Sequence, residues 1–498
     1  MPQLQLSRPL QPEVAWSSLW PELTQLDCQL PPCQRLVHDS RLVQPGDAFF
    51  ALSGLRHQGE EFLAEAQSLG ARLLVVEGDL QVEQLTSQCI RLQLPHLKAR
   101  LGQLLALSTQ VDFQSISSLA VTGTNGKSSV AHFLCQLYGL LGQTAALVGT
   151  LGYGSLNALQ PASHTTPDLF TLHQLYLDWS RQGVSRVVLE ASSHALDQGR
   201  LDGVSLGTGV FTNLTRDHLD YHVTLEAYAE AKAKLFQRSE LKTAVLNLDD
   251  AYGRLWLDSL PKPEKLSYSL SSAQADLYIS QPVFNDQGMS GLLHWQHQTW
   301  PFSVPLLGAF NLANLLAALA VLLAEGYSMA ELLALLPQLQ AVKGRMQRLP
   351  SQPDQPSVVV DFAHTPDALE QLLLGVAAHS QGKVWCVLGC GGNRDKGKRP
   401  FMAQIAGRLA DQVVVTDDNP RDENPASIRQ QLLQELPEAL EVADRKQAIT
   451  TAITHAAAED WIVIAGKGHE TYQEIAGRRL PCDDVALACA ALEARGRA

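Results

Sequence analysis

A short glycine-rich segment, residues 122–129 with the sequence TGTNGKSS, has the residue types and spacing of a phosphate-binding loop. It lies between an apolar strand-like run and a run with helical spacing, where backbone N–H groups and a helix N-terminus favour bound phosphate. Lys127 is placed to reach the outer phosphates and Ser128 to bind Mg²⁺. Position 121 is Val, so the segment departs from the general GxxxxGKS/T pattern. A plain glycine turn with a solvent-exposed lysine is the alternative, but the flanking strand and helix favour nucleoside triphosphate binding.

Two further residues have side chains that could bind a metal or move a proton. Glu190 ends the apolar run SRVVLE, and the tip of a strand on the loop-bearing side is a common place for a carboxylate that binds Mg²⁺. An exposed strand-end glutamate is the alternative. His218, in NLTRDHLDYH, has the chemistry of a metal ligand, a base or a helix cap, and the residue alone does not decide between them.

Past residue 345, four apolar strand-like runs are each followed at once by a polar, glycine-rich or charged loop. In open parallel sheets, ligands bind beyond the carboxyl ends of the strands. We therefore expect the four loops to form one binding rim. Their sequences are FAHTPD, GCGGNRDKGKRP, DDNPRDENP and GKGHETYQ.

The elements that must position these loops alternate as strands and helices, which predicts an α/β fold with largely parallel sheets covered by helices. Residues 1–111 look like a small α/β domain. Residues 112–344 contain the phosphate loop, a parallel sheet and an antiparallel patch between about 265 and 305. A new strand–helix series begins after a hinge candidate around Gly344, so we expect a third domain at residues 345–498. The sequence thus predicts three domains.

Length and composition exclude several classes of protein. With 498 residues, 45% hydrophobic and 18% charged, the chain has the composition of a globular protein. Its formal net charge of −13 argues against binding nucleic acid over a broad surface. The N-terminus lacks a secretory signal pattern, and the longest apolar run, 315–324, is about half of the roughly 20 residues of a membrane helix. Eight scattered cysteines without a CxxC pair fit reduced thiols. We expect a cytoplasmic protein without membrane insertion.

Four segments together resemble the Mur ligase family, the ATP-dependent amino-acid-adding enzymes of bacterial cell-wall synthesis. They are TGTNGKSS, LEASSHALDQGR, NLTRDHLDYH and YAEAKAKLF. The resemblance continues through GAFNLANLLAA, KGRMQ, DFAHTPDAL and the rim loops, so it covers essentially the whole chain. It implies an ATP-dependent acid–amino-acid ligase of peptidoglycan synthesis, with an N-terminal uridine-nucleotide domain, a central phosphate-loop ATPase domain and a C-terminal Rossmann-like domain.

Within the family, three features resemble the members that add meso-diaminopimelate to UDP-MurNAc-L-Ala-D-Glu. HDSRLVQPGDAFFAL, near the N-terminus, is similar to their uridine-nucleotide domain, with Ser40, His57, Gln58 and Gly59 at matching positions. His-Thr-Thr-Pro, residues 164–167, is similar to the segment that holds the muramoyl-dipeptide. Residues 418–421, DNPR, resemble the signature of diaminopimelate addition rather than lysine addition.

The resemblance also implies a role for each matching residue. Catalysis and two Mg²⁺ ions would involve Lys127, Ser128, Glu190, His218 and a carbamylated Lys232. ATP binding would involve Gly123, Thr124, Asn125, Gly126, Ser129, Asn311, Arg345, Asp361 and His364. The muramoyl-dipeptide would also meet Thr165, Thr166, Ser192, Gln198 and Arg200. The incoming amino acid would meet Arg394, Asn419, Pro420, Arg421, Gly466 and Glu470. Lys398 and Arg399 are expected to be solvated rim residues.

Other readings stay open at this point. A lysine-adding member of the same family and a folylpolyglutamate synthetase would both keep the phosphate loop and metal site. The second would not need the N-terminal nucleotide domain or the DNPR loop. From a different class, a phosphate-loop kinase would release ADP without needing an amine, and a nucleotide-switched binding module would bind nucleotide without turnover. We expect the protein to act as a monomer.

Overall fold

Parallel strands covered by helices make up most of the structure, a computed structural model that describes residues 3–26, 28–53, 58–113, 115–162 and 164–496. The chain divides into two compact units, Met1–Leu266 and Ser267–Ala498. The three domain boundaries expected from the sequence stay a prediction. Short 3₁₀ helices lie at Pro21–Gln25, Ser40–Leu42, Gly59–Phe62 and Leu336–Gln338.

The first unit begins with a six-stranded sheet. Its strands and helices are β1 (Gln3–Leu10), α1 (Pro12–Ala15), β2 (Cys33–Val37), β3 (Ala48–Phe50), α2 (Leu63–Ser68), β4 (Leu73–Glu77), β5 (Gln81–Thr86), β6 (Cys89–Leu94) and α3 (Leu97–Thr109). The strand order is β1-β2-β3-β4-β6-β5, with parallel pairing from β2 to β6 and antiparallel strands at both edges. Trp16, Trp20 and Phe50 fill the core of this sheet.

A second sheet in the same unit carries the phosphate loop. Its elements are β7 (Ser117–Thr122), α4 (Lys127–Leu140), β8 (Ala145–Gly149), β9 (Gly152–Gly154), α5 (Leu169–Gln182), β10 (Arg186–Glu190), α6 (Ser193–Asp197), β11 (Thr208–Phe211), α7 (Leu219–His222), α8 (Leu225–Ala233), β12 (Thr243–Asn247) and α9 (Ala251–Ser259). The strands run in the order β9-β8-β10-β7-β11-β12, parallel except for β9. The carboxyl ends of β7, β10 and β11 therefore lie side by side, and the residues that follow them meet at one edge.

The second unit starts with an antiparallel region and two helices. These elements are β13 (Glu264–Ser269), which begins in the first unit, β14 (Leu277–Asn285), β15 (Gly288–Trp295), β16 (Gln298–Val304), α10 (Ala309–Ala324) and α11 (Met329–Leu335). β14, β15 and β16 pair antiparallel, whereas β13 and β14 pair parallel. The predicted antiparallel patch is present in these strands. No helix in the described part of the chain has both the length and the apolarity of a bilayer span.

The rest of the second unit is a sheet covered by helices on both faces. Its elements are β17 (Gln347–Arg348), β18 (Ser357–Asp361), α12 (Pro366–Ala377), β19 (Val384–Leu388), α13 (Lys398–Leu409), β20 (Gln412–Val415), α14 (Pro425–Leu433), β21 (Leu440–Glu441), α15 (Arg445–His455), β22 (Trp461–Ala465), β23 (Tyr472–Ile475), β24 (Arg478–Pro481) and α16 (Asp484–Arg495). The order is β17-β18-β22-β19-β20-β21, and β23 and β24 form a separate hairpin.

Alternation along the central strands explains the two helical layers of this sheet. Val358 and Val360 belong to one buried cluster with α15 and α16, while Val359, between them, belongs to another with α12, α13 and α14. Because successive side chains of a strand point to opposite faces, strands buried on both faces read as continuous apolar runs. The predicted α/β fold class with a C-terminal Rossmann-like sheet is confirmed.

Candidate active site

The phosphate loop runs from the end of β7 to the start of α4, and two of its glycines have backbone conformations that other residues rarely adopt. Gly126, immediately before α4, has φ +86°. Gly123 has φ +150°, and a Cβ there would lie 1.9 Å from Thr212 Oγ1. The segment after β11 holds the loop, because Thr124 N donates to Asn213 O at 2.8 Å. The loop backbone is therefore fixed by the segment that follows the neighbouring strand.

Glu190 ends β10 beside this loop and is fully buried, which excludes the exposed strand-end alternative. Its carboxylate accepts hydrogen bonds from Ser128 Oγ at 2.9 Å and from Thr150 N at 3.0 Å. Burial raises the pKa of the Glu190 carboxyl, and the Lys127 ammonium and the hydrogen bonds oppose that rise. Ser128 and Glu190 thus present oxygen atoms side by side, the type of ligand that Mg²⁺ prefers.

Two lysines converge on one carbonyl group of the phosphate loop. Lys127 Nζ donates to Gly123 O at 2.8 Å, and Lys232 Nζ donates to the same oxygen at 2.9 Å. Lys232 lies on α8, is only 1% exposed, and its Nζ is 4.3 Å from the centre of the Tyr228 ring. Burial, and then the charge of Lys127, lower the pKa of Lys232 well below its ordinary value. Lys232 is therefore not a surface lysine of an amphipathic helix, and its amine tends toward the neutral form.

His218 precedes α7 in a left-handed conformation, with φ +52°. Its Nε2 is 3.5 Å from Asp217 Oδ2, and about half of its side chain is exposed. Its ring centre lies 5.0 Å from that of His194 and 6.0 Å from that of Tyr228. Because Tyr228 also contacts Lys232, His218 and Lys232 flank the same aromatic ring. In the part of the chain that the structure describes, no three His, Cys, Asp or Glu side chains form a ready metal site.

Residues predicted for the muramoyl-dipeptide gather around the end of β10. Thr166 Oγ1 donates to Glu190 O at 2.6 Å and accepts from Ser192 N at 3.2 Å. Thr165 Oγ1 is 3.0 Å from Thr150 Oγ1. Arg200 Nη1 donates to Thr166 O at 3.1 Å, and its Nε donates to Gln198 Oε1 at 3.0 Å. One hydrogen-bonded network therefore joins these residues to the Glu190 segment.

The described N-terminal residues predicted for the uridine nucleotide lie at two 3₁₀ helices that connect strands of the first sheet. Ser40 is buried in a 3₁₀ helix, and a Cβ on Gly59 would lie 2.3 Å from the Ala51 carbonyl carbon, so the backbone packs closely there. Gln58 precedes Gly59 at the start of the next 3₁₀ helix. His57 falls outside the described residues.

In the second unit, Asp361 ends β18 and fixes the segment that follows the predicted hinge. Its carboxylate accepts from Met346 N at 2.6 Å and from Ala363 N at 2.7 Å. Burial raises the pKa of Asp361, and the nearby Arg345 opposes that rise. The Arg345 guanidinium lies 4.8 Å from the centre of the Phe362 ring. Asp361 and Arg345 are thus brought together.

The other two residues of this unit that are predicted to bind the nucleotide, His364 and Asn311, each contact a backbone carbonyl oxygen. His364 has its Nδ1 2.9 Å from Phe362 O, and burial lowers its pKa. Asn311 is buried on α10, where its Nδ2 donates to Leu307 O at 2.9 Å. Asn311 therefore helps to hold the first turn of α10.

The predicted amino-acid site brings together loops that are about 50 residues apart in sequence. Asn419 Nδ2 donates to Glu470 Oε2 at 2.9 Å. Arg421 donates to Glu474 Oε2 at 3.2 Å and to Gly392 O at 2.8 Å. Three further members of the predicted set are Arg394, which is exposed, Pro420, which is buried, and Gly466, which has φ +114°.

The expectation that Arg399 is solvated is wrong. Its side chain has no exposed surface, and Nη2 donates to Glu423 Oε2 and to Gly391 O, each at 3.1 Å. Arg399 thus lies under the glycine-rich loop as an internal cation, because the α13 N-terminus is packed against α14. Lys398 is half-buried, and its Nζ donates to His364 O at 2.7 Å.

Several polar residues in these sites were missed by sequence reasoning. His194 and His222 lie within motifs already singled out, and His222 Nε2 is 2.9 Å from Ser193 Oγ. Thr150 follows β8, the strand next to β10, so its position after a strand was a usable signal. Lys467 lies in the GKGHETYQ loop already singled out, and Glu474 follows that loop directly. Their contacts with Asn419, 48 and 55 residues away, gave no signal in the sequence.

Comparison with known proteins gives matches along most of the chain. Three family models match in succession: "Mur ligase family, catalytic domain" at residues 33–109, "Mur ligase middle domain" at 121–322, and "Mur ligase, glutamate ligase domain" at 344–468. A curated relative from Pseudomonas aeruginosa, named UDP-N-acetylmuramoyl-L-alanyl-D-glutamate--2,6-diaminopimelate ligase, is 44% identical over 464 residues, covering 93% of this chain and 95% of the relative.

Other matches agree with that one. A relative of the same name from Xanthomonas campestris is 44% identical over 463 residues, covering 92% of this chain and 93% of the relative. A solved structure, also of a protein of that name, has 39% sequence identity and a TM-score of 0.76, covering 98% of this chain and 100% of the other. The resemblance drawn from the motifs is therefore confirmed. By its family models and by the identity of its relatives, the chain belongs to the Mur ligase family.

Proposed function

We propose that this chain joins meso-diaminopimelate to UDP-MurNAc-L-Ala-D-Glu, converting ATP to ADP and phosphate, in the cytoplasmic synthesis of peptidoglycan precursors. The names of its relatives support the reaction and both substrates. One geometric observation carries the mechanism: Lys127 Nζ and Lys232 Nζ donate to the same oxygen, Gly123 O. Two ammonium groups so close would repel each other. Because Lys232 is the buried one of the two, we expect its amine to be the neutral one.

A neutral Lys232 is ready for the modification that the reaction needs. Its amine attacks CO₂, an N–C bond forms, one proton leaves, and the side chain becomes a carbamate anion. An amine that would repel a metal ion is thereby converted into an oxygen ligand. The carbamate of Lys232 and His218 would hold one Mg²⁺, and Ser128 and Glu190 the other. Bound Mg²⁺ supplies neutralisation of the charge on the transferring phosphoryl group.

The chain's own residues then align the reacting groups. Lys127 stabilises the negative charge of the γ-phosphoryl group as an oxygen of the D-glutamyl carboxylate forms a bond to phosphorus and the bond to ADP breaks. Thr166 donates to the Glu190 carbonyl and Arg200 donates to the Thr166 carbonyl, and we assign these two residues to that carboxylate. The amine of diaminopimelate attacks the acyl carbon of the acyl phosphate, and the tetrahedral intermediate expels phosphate. Holding three anionic groups in register is the main catalytic task.

The incoming amino acid is assigned to the second unit. Arg421 is a fork-shaped cation suited to a carboxylate, and Glu470 is suited to an ammonium group. We assign the uridine-nucleotide moiety to residues 1–111, ATP to residues 112–344 with Arg345, Asp361 and His364, and diaminopimelate to residues 345–498. One copy of the chain contains all of these groups, which supports a monomeric enzyme.

Phosphate release tests the proposal directly. The purified protein is assayed with ATP, Mg²⁺ and UDP-MurNAc-L-Ala-D-Glu in three reactions, which contain meso-diaminopimelate, lysine or no amino acid. The masses of the products are measured by mass spectrometry. We expect sustained release only with diaminopimelate and a product heavier by one diaminopimelyl residue. Equal turnover with lysine would make the chain a lysine-adding member. Release without any amine would point to a kinase-like or hydrolytic activity and would overturn the proposal.

A further inference from the structure

Lys467 is a lysine with no exposed surface at the proposed amino-acid site. It follows Gly466 after β22, where its Nζ donates to Asn419 Oδ1 at 3.2 Å, to Glu470 Oε2 at 3.4 Å and to Tyr472 O. An ammonium group has three donors, and three acceptors surround this one. Lys467 therefore joins the loop after β20 to the loop after β22.

Lys467 and the Glu474 N–H together fix how the Asn419 amide is oriented. Asn419 Oδ1 accepts from Lys467 Nζ and from Glu474 N at 2.9 Å, and its Nδ2 donates to Glu470 Oε2 at 2.9 Å. A side-chain amide can rotate by half a turn, which exchanges the positions of its oxygen and its nitrogen. N–H donors that face the oxygen therefore fix its orientation. With the ammonium in place, Asn419 turns its NH₂ group toward Glu470, and the Glu470 carboxylate is held from two directions.

A second carboxylate, that of Asp418, lies close to Lys467. Asp418 Oδ1 is 3.9 Å from Lys467 Nζ and, among the described residues, has no hydrogen-bond partner. Burial raises the pKa of Asp418, and Arg445 and Lys467 oppose that rise. Arg445 is itself engaged by both oxygens of Asp484, at 2.7 Å each. Lys467 thus faces two carboxylates, those of Asp418 and Glu470.

We propose that Lys467 is a positioning residue for the amino-acid substrate. This proposal rests on the function proposed above. It acts through Asn419 and Glu470, fixing their polar atoms toward the incoming diaminopimelate. Because Lys467 is buried beneath these residues, the substrate meets them rather than the lysine. Losing the ammonium removes one donor to Asn419 Oδ1 and one partner of the Glu470 carboxylate, so both side chains are held less firmly. Binding of the amino acid therefore weakens while ATP binding does not.

Steady-state kinetics of Lys467→Met test the inference, since methionine keeps an unbranched side chain and lacks the charge. Lys446→Met, which removes an exposed lysine from α15, is the matched control. Phosphate release is measured while ATP, UDP-MurNAc-L-Ala-D-Glu and meso-diaminopimelate are varied in turn. We expect the diaminopimelate KM of Lys467→Met to rise about 10- to 100-fold, the loss typical of removing a charged hydrogen-bonding partner. The KM values for ATP and the nucleotide should stay within about twofold.

A double-mutant cycle separates positioning from general damage to the fold. If Lys467 acts through Glu470, Lys467→Met should add little to the diaminopimelate KM of Glu470→Gln, because interacting residues are not additive. Lys467→Gln, which keeps an amide donor, is used if Lys467→Met does not fold, and its KM should rise less. An unchanged diaminopimelate KM in a folded variant, or an equal rise in all three KM values, would overturn the inference. Absence of diaminopimelate-dependent release by the parent would instead refute the proposed function.

Discussion

Ser128 Oγ donates a hydrogen bond to Glu190 Oε2 across 2.9 Å, and this contact joins the first turn of α4 to the end of β10. The two residues are 62 positions apart and meet because β7 and β10 are adjacent parallel strands, in register from Arg186↔Ser117 to Glu190↔Val121. The phosphate loop and its proposed metal ligand are thus held by the sheet itself. Substitutions that move either strand end should therefore affect nucleotide binding.

Gly149→Ala should disturb this arrangement from the opposite side. A Cβ at Gly149 would lie 2.1 Å from Glu190 Oε1, so either the carboxylate or the end of β8 must shift. Overpacking of this kind typically costs about 1–3 kcal/mol. We expect a lower thermal midpoint and a weaker ATP affinity by calorimetry. Gly139→Ala is the control: nothing lies within 4 Å of its Cβ on α4, so it should leave both measurements unchanged or slightly improve stability.

Lys127→Ala should abolish turnover and leave the fold intact. The lysine stabilises charge that grows in the transition state, so the rate should fall on the order of 100-fold or more. Its circular dichroism spectrum and thermal midpoint should resemble those of the parent. Near-normal ligation by this folded variant would contradict the proposed role of the phosphate loop.

Lys232→Ala should be nearly inactive and should regain part of its activity with bicarbonate or a small carboxylic acid. The missing group is an anion, so a diffusible carboxylate can replace it. Lys232→Arg restores a cation and should stay inactive under the same conditions. Turnover is measured as phosphate release with and without the added acid. Parent-like activity of Lys232→Arg would show that no carbamate is needed.

Arg421→Ala should raise the KM for meso-diaminopimelate and reduce the preference of the enzyme for meso-diaminopimelate over lysine. Removing the partner of a buried carboxylate typically costs about 2–5 kcal/mol. In the variant, Glu474, now without its Arg421 partner, would attract the distal ammonium of lysine. Arg421→Lys should restore binding only in part, because a point charge replaces a fork. Competition between the two amino acids at fixed ATP measures the preference. A loss of ATP affinity with unchanged preference would place this loop in the nucleotide site.

Arg445 and Asp484 form a buried pair whose separation should destabilise the second unit. Both side chains are at most 1% exposed, and the guanidinium makes two hydrogen bonds of 2.7 Å to the carboxylate. Arg445→Met leaves a buried carboxylate unpaired, at a cost of about 3–5 kcal/mol. Replacing both residues, as Arg445→Met with Asp484→Leu, should be less damaging than Arg445→Met alone. Thermal midpoints of the parent, of Arg445→Met, of Asp484→Leu and of the double variant decide the point, and additive losses from the two single substitutions would argue against coupling.

Apolar runs and the loops after them predicted the strands and much of the site, because position within a parallel sheet follows from local pattern. Glu190 is an example, since a carboxylate at the end of SRVVLE must lie at the loop-bearing edge. The burial of Lys232 did not follow from the pattern of α8, where a lysine reads as a surface residue. Only the packing of that helix against the phosphate loop removes it from water.

Arg399 is a second residue whose burial the sequence did not predict. It stands in a run of basic residues, which predicts a solvated rim, yet it is enclosed because the Gly391 carbonyl of its own loop and Glu423 of the loop after β20 both face it. The contact of Lys467 with Asn419 could not be predicted for a similar reason. Pairings between residues about 50 positions apart depend on how loops close over one another, and no local periodicity encodes that.

The hairpin β23–β24 has a consequence for any attempt to graft substrate preference between relatives. Arg421, with φ +51°, donates its N–H to Glu474 O at 2.9 Å and accepts from Ala476 N at 2.8 Å, as an extra strand would. The four-residue signature therefore takes its shape from a segment that lies outside it. A chimera that exchanges residues 418–421 alone would transfer the side chains without the hairpin contacts that set their backbone conformation. The transferable module is the signature together with the segment from Gly466 through the hairpin.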